Sequence, residues 1–242
     1  MSFKTVALLP IKAHSARVPG KNFRDFAGKP LFRWILETLL SVDEIEKIVI
    51  NTDAKELLAS HGLIDSPKIM LRDRKPAICG DMVSMNKVLA DDVENVTAET
   101  YVMTHSTNPL LKAPTIRAAL REFEDSVDSQ RCDSLFSVTR YQTRFYREDG
   151  EAVNHDPGNL LRTQDLEPWF EENSNLYVFT RESFLRTNAR IGEAPRLFET
   201  PRMESFDIDD QDGWDLAENI AKHYWQQSYS RLEELESHKL NW

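Results

Sequence analysis

The sequence predicts an α/β chain built on a doubly wound, mostly parallel sheet. Three observations carry that expectation. Short apolar β-type runs alternate with segments whose apolar residues recur at helical steps. Polar clusters fall where those runs end, at the carboxyl strand ends where open parallel sheets bind ligands. The 242 residues suffice for one large α/β domain, with or without a smaller arm.

"TVALLPI" reads as a buried first strand, followed by a loop from Lys12 to Asn22. "GKPLFRWILETLLSV" carries Leu31, Trp34, Ile35, Thr38, Leu39 and Val42 as one amphipathic helix stripe. "KIVINTD" is a second buried strand, and "AKELLASHG" a helix closed by Gly62. "SMNKVLADDV" reads as helix and "ETYVMTHS" as strand. "APTIRAALREFEDS" is a helix with Pro114 in its first turn, where a missing N–H costs nothing. "DSLFSVTRY" is a further strand. From Gln142 to about Asn173 the text is polar and irregular, with Gly150, Pro157, Gly158 and Pro168. That is too long for an ordinary connection and implies a functional arm or a mobile loop. "SNLYVFTRESFL" resumes a strand and a helix start. "ESFDIDDQDGWDLAENIAKHYWQQSY" passes from an acidic strand end into a helix with Trp214, Leu216, Ala217, Ile220 and Ala221 on one face.

Forty acidic against thirty basic residues give a net charge of −10, which argues against a general nucleic-acid binder. Cys79 and Cys132 are far apart, without a CxxC pair, and are expected as buried small hydrophobes. The apolar core of the N-terminal "MSFKTVALLP" is too short for a secretory apolar region and has no small-residue cleavage site, and no run approaches the ~18 apolar residues of a membrane span. A soluble, cytoplasmic chain is expected. Trp169, Trp225 and Trp242 are expected to pack or to lie in an interface.

Against the acidic background, "LLPIKAHSARVPGKN" gathers Lys12, His14, Arg17 and Lys21 at the first strand-to-loop junction. Cations beside loop amides suit a small, highly charged anion, and Ser15 adds a hydroxyl donor. Far along the chain, "DIDDQD" sets Asp207 and Asp209 two apart, on one face if a strand runs through them. Adjacent carboxylates repel unless a cation lies between them, and Mg²⁺ is the usual choice at a phosphate site. Asp210 and Asp212 suit capping of the following helix. Neither GxxxxGK[ST] nor GxGxxG is present. Nucleotidyl transfer is then the economical chemistry, in which a nucleophile attacks an α-phosphate and pyrophosphate leaves. A non-catalytic sugar-nucleotide binder or scaffold, and transfer of another nucleotide to a sugar phosphate, remain as alternatives.

The loop together with "AGKPLFRWILETLL", "INTD", "RKPAICGDMVS", "THSTNPLL" and "FDIDDQDGWDLAE" resembles, in order, the motifs of the acylneuraminate cytidylyltransferases. That family includes CMP-sialic acid synthetases and has KDO cytidylyltransferases as relatives. The resemblance runs from about residue 5 to residue 222. It implies a Rossmann-like nucleotidyltransferase, one domain over residues 1–242, with an inserted arm at about 142–173 that crosses into a partner and makes a homodimer. It implies CTP and an acidic 2-keto-3-deoxy sugar of the nonulosonic type as substrates, with Mg²⁺ held by Asp207 and Asp209. Lys21 and Lys12 would bind the triphosphate, with Ser15 and Arg17 in the same loop and Asn22 at the nucleotide. Arg74 and Ser84 match positions facing cytosine and ribose. His105, Thr107 and Asn108 would contact the sugar, as would Arg162, Gln164, Asn173 and Tyr177; Arg162 could pair with the sugar carboxylate. Ala13 and His14 stand where glycines are expected, Lys12 where the family has Arg, and Ser174 where it has Gly. His105 and Ser106 replace Gln and Pro. These departures imply an altered sugar preference. No side-chain general base is evident, and sialic, legionaminic, pseudaminic or KDO-like acids all remain open.

Overall fold

The computed structural model describes residues 2–129 and 131–223. Its strands are β1 (Phe3–Leu8), β2 (Asp25–Phe26), β3 (Lys29–Pro30), β4 (Lys47–Thr52), β5 (Ile69–Asp73), β6 (Ala98–Thr104), β7 (Ser134–Tyr141), β8 (Trp169–Thr180) and β9 (Pro195–Glu199). Helices α1 (Leu31–Leu40), α2 (Lys55–Ser60), α3 (Met85–Asn95), α4 (Ala113–Asp128) and α5 (Arg181–Thr187) lie between them. A last helix, α6, runs from 211 to 223.

Seven strands form one sheet in the order β5-β4-β1-β6-β8-β7-β9. Every pairing in it is parallel except those of β8, which runs against both β6 and β7. Buried strands in such a sheet need apolar side chains on both faces, and β1 supplies them: Val6, Ala7 and Leu8 are fully enclosed. On one face Phe32, Ile35, Leu36 and Leu39 of α1 pack with Ile48, Ile50 and Val102. On the other, Leu89 and Val93 of α3 pack with Tyr101, Met103, Tyr177 and Phe179. Phe32 and Leu36 widen the predicted α1 stripe, whereas Trp34 is only half-buried and donates its indole N–H to Phe26 O at 2.8 Å. Among the described residues no helix is long and apolar enough to cross a membrane.

A third, smaller core positions the site. Val18 of the loop after β1, Phe26, Leu31, Leu110, Ile208 and Trp214 form one apolar cluster with Ala217 and Ala221. Val18 lies between Arg17 and Lys21, and Ile208 between Asp207 and Asp209. Burying a Val or Ile side chain is worth about 2 kcal/mol. The same burial that closes this small core therefore drags the flanking cations and carboxylates together.

Several expectations need correction. Asp207 and Asp209 lie in irregular backbone, so no strand pleat aligns them; Ile208 N instead donates to Thr107 O at 2.9 Å. Leu216 is half-exposed and leaves the α6 apolar face to Trp214, Ala217 and Ala221. Cys79 is only partly buried, while Cys132 sits in the core as expected. β8 starts at Trp169, inside the stretch expected to be irregular. Asp210 does cap α6, accepting from Gly213 N at 2.8 Å. Trp169 stacks on Phe145, while Trp225, Trp242 and the expected continuation of α6 to Tyr229 lie outside the described residues.

Candidate active site

The loop after β1 is pinned to the sheet before it becomes irregular. Leu9 N and Ile11 N donate to Val49 O and Asn51 O, extending the β1–β4 pairing beyond the strand ends. Asp53, the last residue of "INTD", then accepts from Ala13 N at 2.7 Å. Asn22 closes the far end. Its amide donates to Lys12 O at 2.8 Å, and its carbonyl accepts from Ser106 Oγ at 2.7 Å. Ser106 thus ties the β6 end to the loop, a role that its reading as a sugar-side departure missed. Of the loop residues only Gly20 needs left-handed backbone, at φ +64°. Ala13 and His14 do not, so their lacking the expected glycine freedom leaves this turn unstrained.

The turn around Gly20 places Lys21. Its backbone N–H donates to Val18 O, and its Nζ donates to Ile208 O at 2.5 Å. That contact anchors the ammonium on the Asp207–Asp209 segment, near enough for both carboxylates to act on its charge. Burial pulls the Lys21 pKa below the usual lysine range, and the two carboxylates oppose the shift. Burial raises the Asp207 carboxyl; the Thr107 hydroxyl bonded to it acts the other way, and Asp209 adds to the rise. Arg17 Nη2 meets Asp209 Oδ1 at 2.6 Å, and Lys12 Nζ meets Asp81 Oδ1 at 2.8 Å. These two pairs are exposed and weakly held, so both cations can turn to a polyanion at little expense.

On the other flank of the loop, Arg74 is buried, with Nε on Asn51 Oδ1 at 2.9 Å and Nη2 on Asn51 O at 2.7 Å. Burial lowers its pKa. Asn51 in turn donates to Asp92 Oδ1 at 2.8 Å, and burial pushes the Asp92 carboxyl up to about 6. Ser84 is exposed at the N-cap of α3, where its side chain makes no capping bond, and Ser15 is half-buried in the loop.

Beside Asp207 and Asp209 opens a cleft of about 520 Å³, bordered by Tyr141, Glu172, Asn173, Ser174 and Arg202. Asn173 is fully engaged: it accepts from Ser137 Oγ and donates to Thr139 Oγ1 and Thr200 Oγ1. Ser174 adopts φ +54°, the left-handed backbone for which a glycine is better suited. Asn108 is wholly buried and donates to Phe206 O at 3.4 Å. Tyr177 donates to Glu172 at 2.5 Å, and burial pushes its phenol up to about 12. Arg162 and Gln164 do not line the cleft. They are exposed on the 142–168 segment between β7 and β8, where Arg162 grips Asp165 through Nε and Nη2 at 2.7 and 3.0 Å. The structure gives roles to Asp53 and Asp81, which lay in quoted motifs without one, and adds Glu172 and Arg190, which no motif contained; Arg190 Nη1 donates to His105 Nε2 at 3.3 Å.

His105 is held neutral. Burial, with Arg190 and Lys21 close by, pushes its pKa down to about 3 from the usual 6.5. Between those values the unfolded chain carries a proton that the folded protein refuses, so stability rises with pH across that window and levels off above it. Thermal denaturation of His105→Gln between about pH 4.5 and about pH 7 is therefore expected to show a shallower pH slope than the unmodified chain. Equal slopes would mean that His105 titrates normally.

A cytidylyltransferase family model matches residues 6–238. An N-acylneuraminate cytidylyltransferase of Streptococcus agalactiae serotype V is 23% identical over 98% of this chain, which spans 60% of that relative's length. A pseudaminic acid cytidylyltransferase of Campylobacter jejuni serotype O:2 is 24% identical, covering 90% of this chain and 97% of that protein. The fold is similar to that of a CMP:2-keto-3-deoxy-manno-octonic acid synthetase complexed with CTP, with a TM-score of 0.64 at 15% identity over 91% of this chain and 99% of the other. With the family match running through both the cationic loop and the acidic segment, the chain belongs to the cytidylyltransferase family.

Proposed function

We propose that the protein transfers CMP from CTP to an acidic 2-keto-3-deoxy sugar of the nonulosonic type. The observation that carries this reading is the Lys21 Nζ contact to Ile208 O at 2.5 Å, which joins the cationic loop to the acidic segment through a buried ammonium. In the reaction the anomeric hydroxyl oxygen attacks the α-phosphorus. A new O–P bond forms, the bond from that phosphorus to the β-phosphate oxygen breaks, and pyrophosphate departs. The hydroxyl proton passes to solvent, since no side chain stands out as its acceptor. Lys21 holds the phosphate charge as it spreads, and Lys12 and Arg17 leave their exposed carboxylate partners to follow the departing pyrophosphate.

Asp207 and Asp209 fit a divalent cation. Asp207 Oδ1 is buried without a hydrogen-bond partner, and hard carboxylate oxygens suit Mg²⁺, which needs only one or two of them beside substrate phosphates. When bound, Mg²⁺ would neutralise phosphate charge. Arg74 and Ser84 would face the cytidine, with Ser15 at the phosphates. Asn22 would act at the nucleotide by holding the loop in shape. His105, Thr107, Asn108, Asn173 and Tyr177 would shape the sugar side.

In this reading the chain is one catalytic domain with a dimerisation arm at 142–173, working in the cytoplasm as a homodimer. Tyr146, Leu160, Leu161, Trp169 and Phe170 expose apolar surface on the arm and its exit strand, as an unpaired interface does. Arg162 and Gln164 would then serve the partner's sugar pocket.

The test is pyrophosphate release with CTP and Mg²⁺ against N-acetylneuraminic, pseudaminic, legionaminic and 2-keto-3-deoxy-octonic acids. At least one acid is expected to turn over. Release with a sugar 1-phosphate and another nucleotide, and none with the acids, would replace this reading with the sugar-phosphate alternative.

A further inference from the structure

One guanidinium on the sugar side belongs to no motif. Arg190 follows α5, and its side chain is 18% exposed, so it is largely enclosed yet reachable. Its Cζ lies 3.8 Å from the centre of the Tyr177 ring, which fixes the plane of the group. Nη1 donates to His105 Nε2 at 3.3 Å, and Nη2 approaches Glu172 Oε1 at 3.4 Å. The Glu172 contact is long for a charged pair, and the same oxygen already accepts from the Tyr177 hydroxyl at 2.5 Å. Arg190 is therefore firmly oriented and loosely neutralised. His105 accepts from it through Nε2, so the ring proton sits on Nδ1 and adds a donor without adding charge.

Glu172, which both Arg190 and Tyr177 contact, and Ser174 border the cleft that Asp207 and Asp209 also border, so the cluster adjoins that cleft through Glu172. Arg162 is the weaker choice for a sugar carboxylate within one chain, since it is exposed on the segment between β7 and β8 and does not line this cleft. We propose that Arg190 is the residue that binds the carboxylate of the acidic sugar, exchanging its long contact with Glu172 for a bidentate one and so selecting acidic over neutral sugars. The proposal rests on the cytidylyl-transfer reading above and deepens it.

The experiment is steady-state pyrophosphate release by the full chain at saturating CTP. It uses whichever of the four acids turns over fastest, with the C1 carboxamide of that acid as a competing ligand. Arg190→Met is expected to raise KM for the acid by about 30-fold, as loss of a charged bidentate contact does. It is expected to leave KM for CTP within about twofold and to abolish the preference for acid over carboxamide, because only the carboxylate contact is lost. Arg190→Lys, which keeps charge but not the fork, is expected to recover part of the acid affinity. An unchanged acid KM in Arg190→Met, or an equal loss for acid and carboxamide, would overturn the proposal; the second result marks a structural role. Failure of every acid to turn over in the unmodified chain overturns the cytidylyl-transfer reading, and this proposal with it.

Discussion

Lys21→Met is expected to lower turnover by roughly 10³-fold while leaving the protein folded, because it removes a preorganised charge aimed at the phosphates. Methionine matches the length and bulk of the lysine stem, so the packing around Val18 and Ile208 is retained. Two things are lost: the buried charge beside the acidic segment, and the bond to Ile208 O. The stability effect has the opposite tendency. Burial lowers the Lys21 pKa, so the charged form is a burden on the empty fold that a bound polyanion relieves. Above its folded pKa and up to 10.5, the unfolded chain holds the proton that the folded chain has released, so stability rises with pH there. That rise should vanish in Lys21→Met. Turnover assays paired with denaturation curves separate the two effects; a variant that keeps turnover within tenfold would remove Lys21 from the chemistry.

Asp207→Asn is expected to reduce turnover by roughly 10²- to 10³-fold and to raise the Mg²⁺ concentration needed for half-maximal rate. The substitution conserves shape and can keep a hydrogen bond to Thr107, so it tests charge rather than packing. Burial raises the Asp207 carboxyl, meaning that the folded protein keeps a proton that the unfolded chain has already lost as pH climbs from 3.8 to the folded value. The charged form therefore weakens the ligand-free fold over that window, and Asn should stabilise it at neutral pH. More stable and less active is the signature of a residue retained for its site. Equal rates and an unchanged Mg²⁺ requirement would show that the acidic pair holds no metal.

Much of this arrangement was legible in the residues. Alternating apolar runs located β1, β4, β6, β7 and β8, because strands buried on both faces have little freedom in composition. The two halves of the site were legible as charge, since a cationic loop and an acidic cluster stand out in a chain of net charge −10. The cause of their meeting was not, because it lies in Val18 and Ile208, ordinary apolar residues whose shared core is a tertiary fact. β2 and β3 are two-residue strands, and β9 is a largely exposed edge strand, so none leaves a pattern. "IMLRD" of β5 mixes apolar and charged residues, since its Arg72 turns to Asp91 and Asp92 of α3. The strand expected through Asp207 and Asp209 failed because Thr107 O takes the Ile208 N–H. Arg190 and Glu172 were invisible for a similar reason: an isolated charge in a polar stretch acquires meaning only from the ring and the imidazole that it meets.

The most direct measurement is calorimetric titration of CTP into the unmodified chain, Lys21→Met and Asp207→Asn, each with and without Mg²⁺. If one triphosphate bridges the loop and the acidic pair, the unmodified chain binds CTP more tightly with metal, Asp207→Asn loses that gain, and Lys21→Met binds weakly in both conditions. CTP binding that is indifferent to both substitutions and to the metal would contradict it.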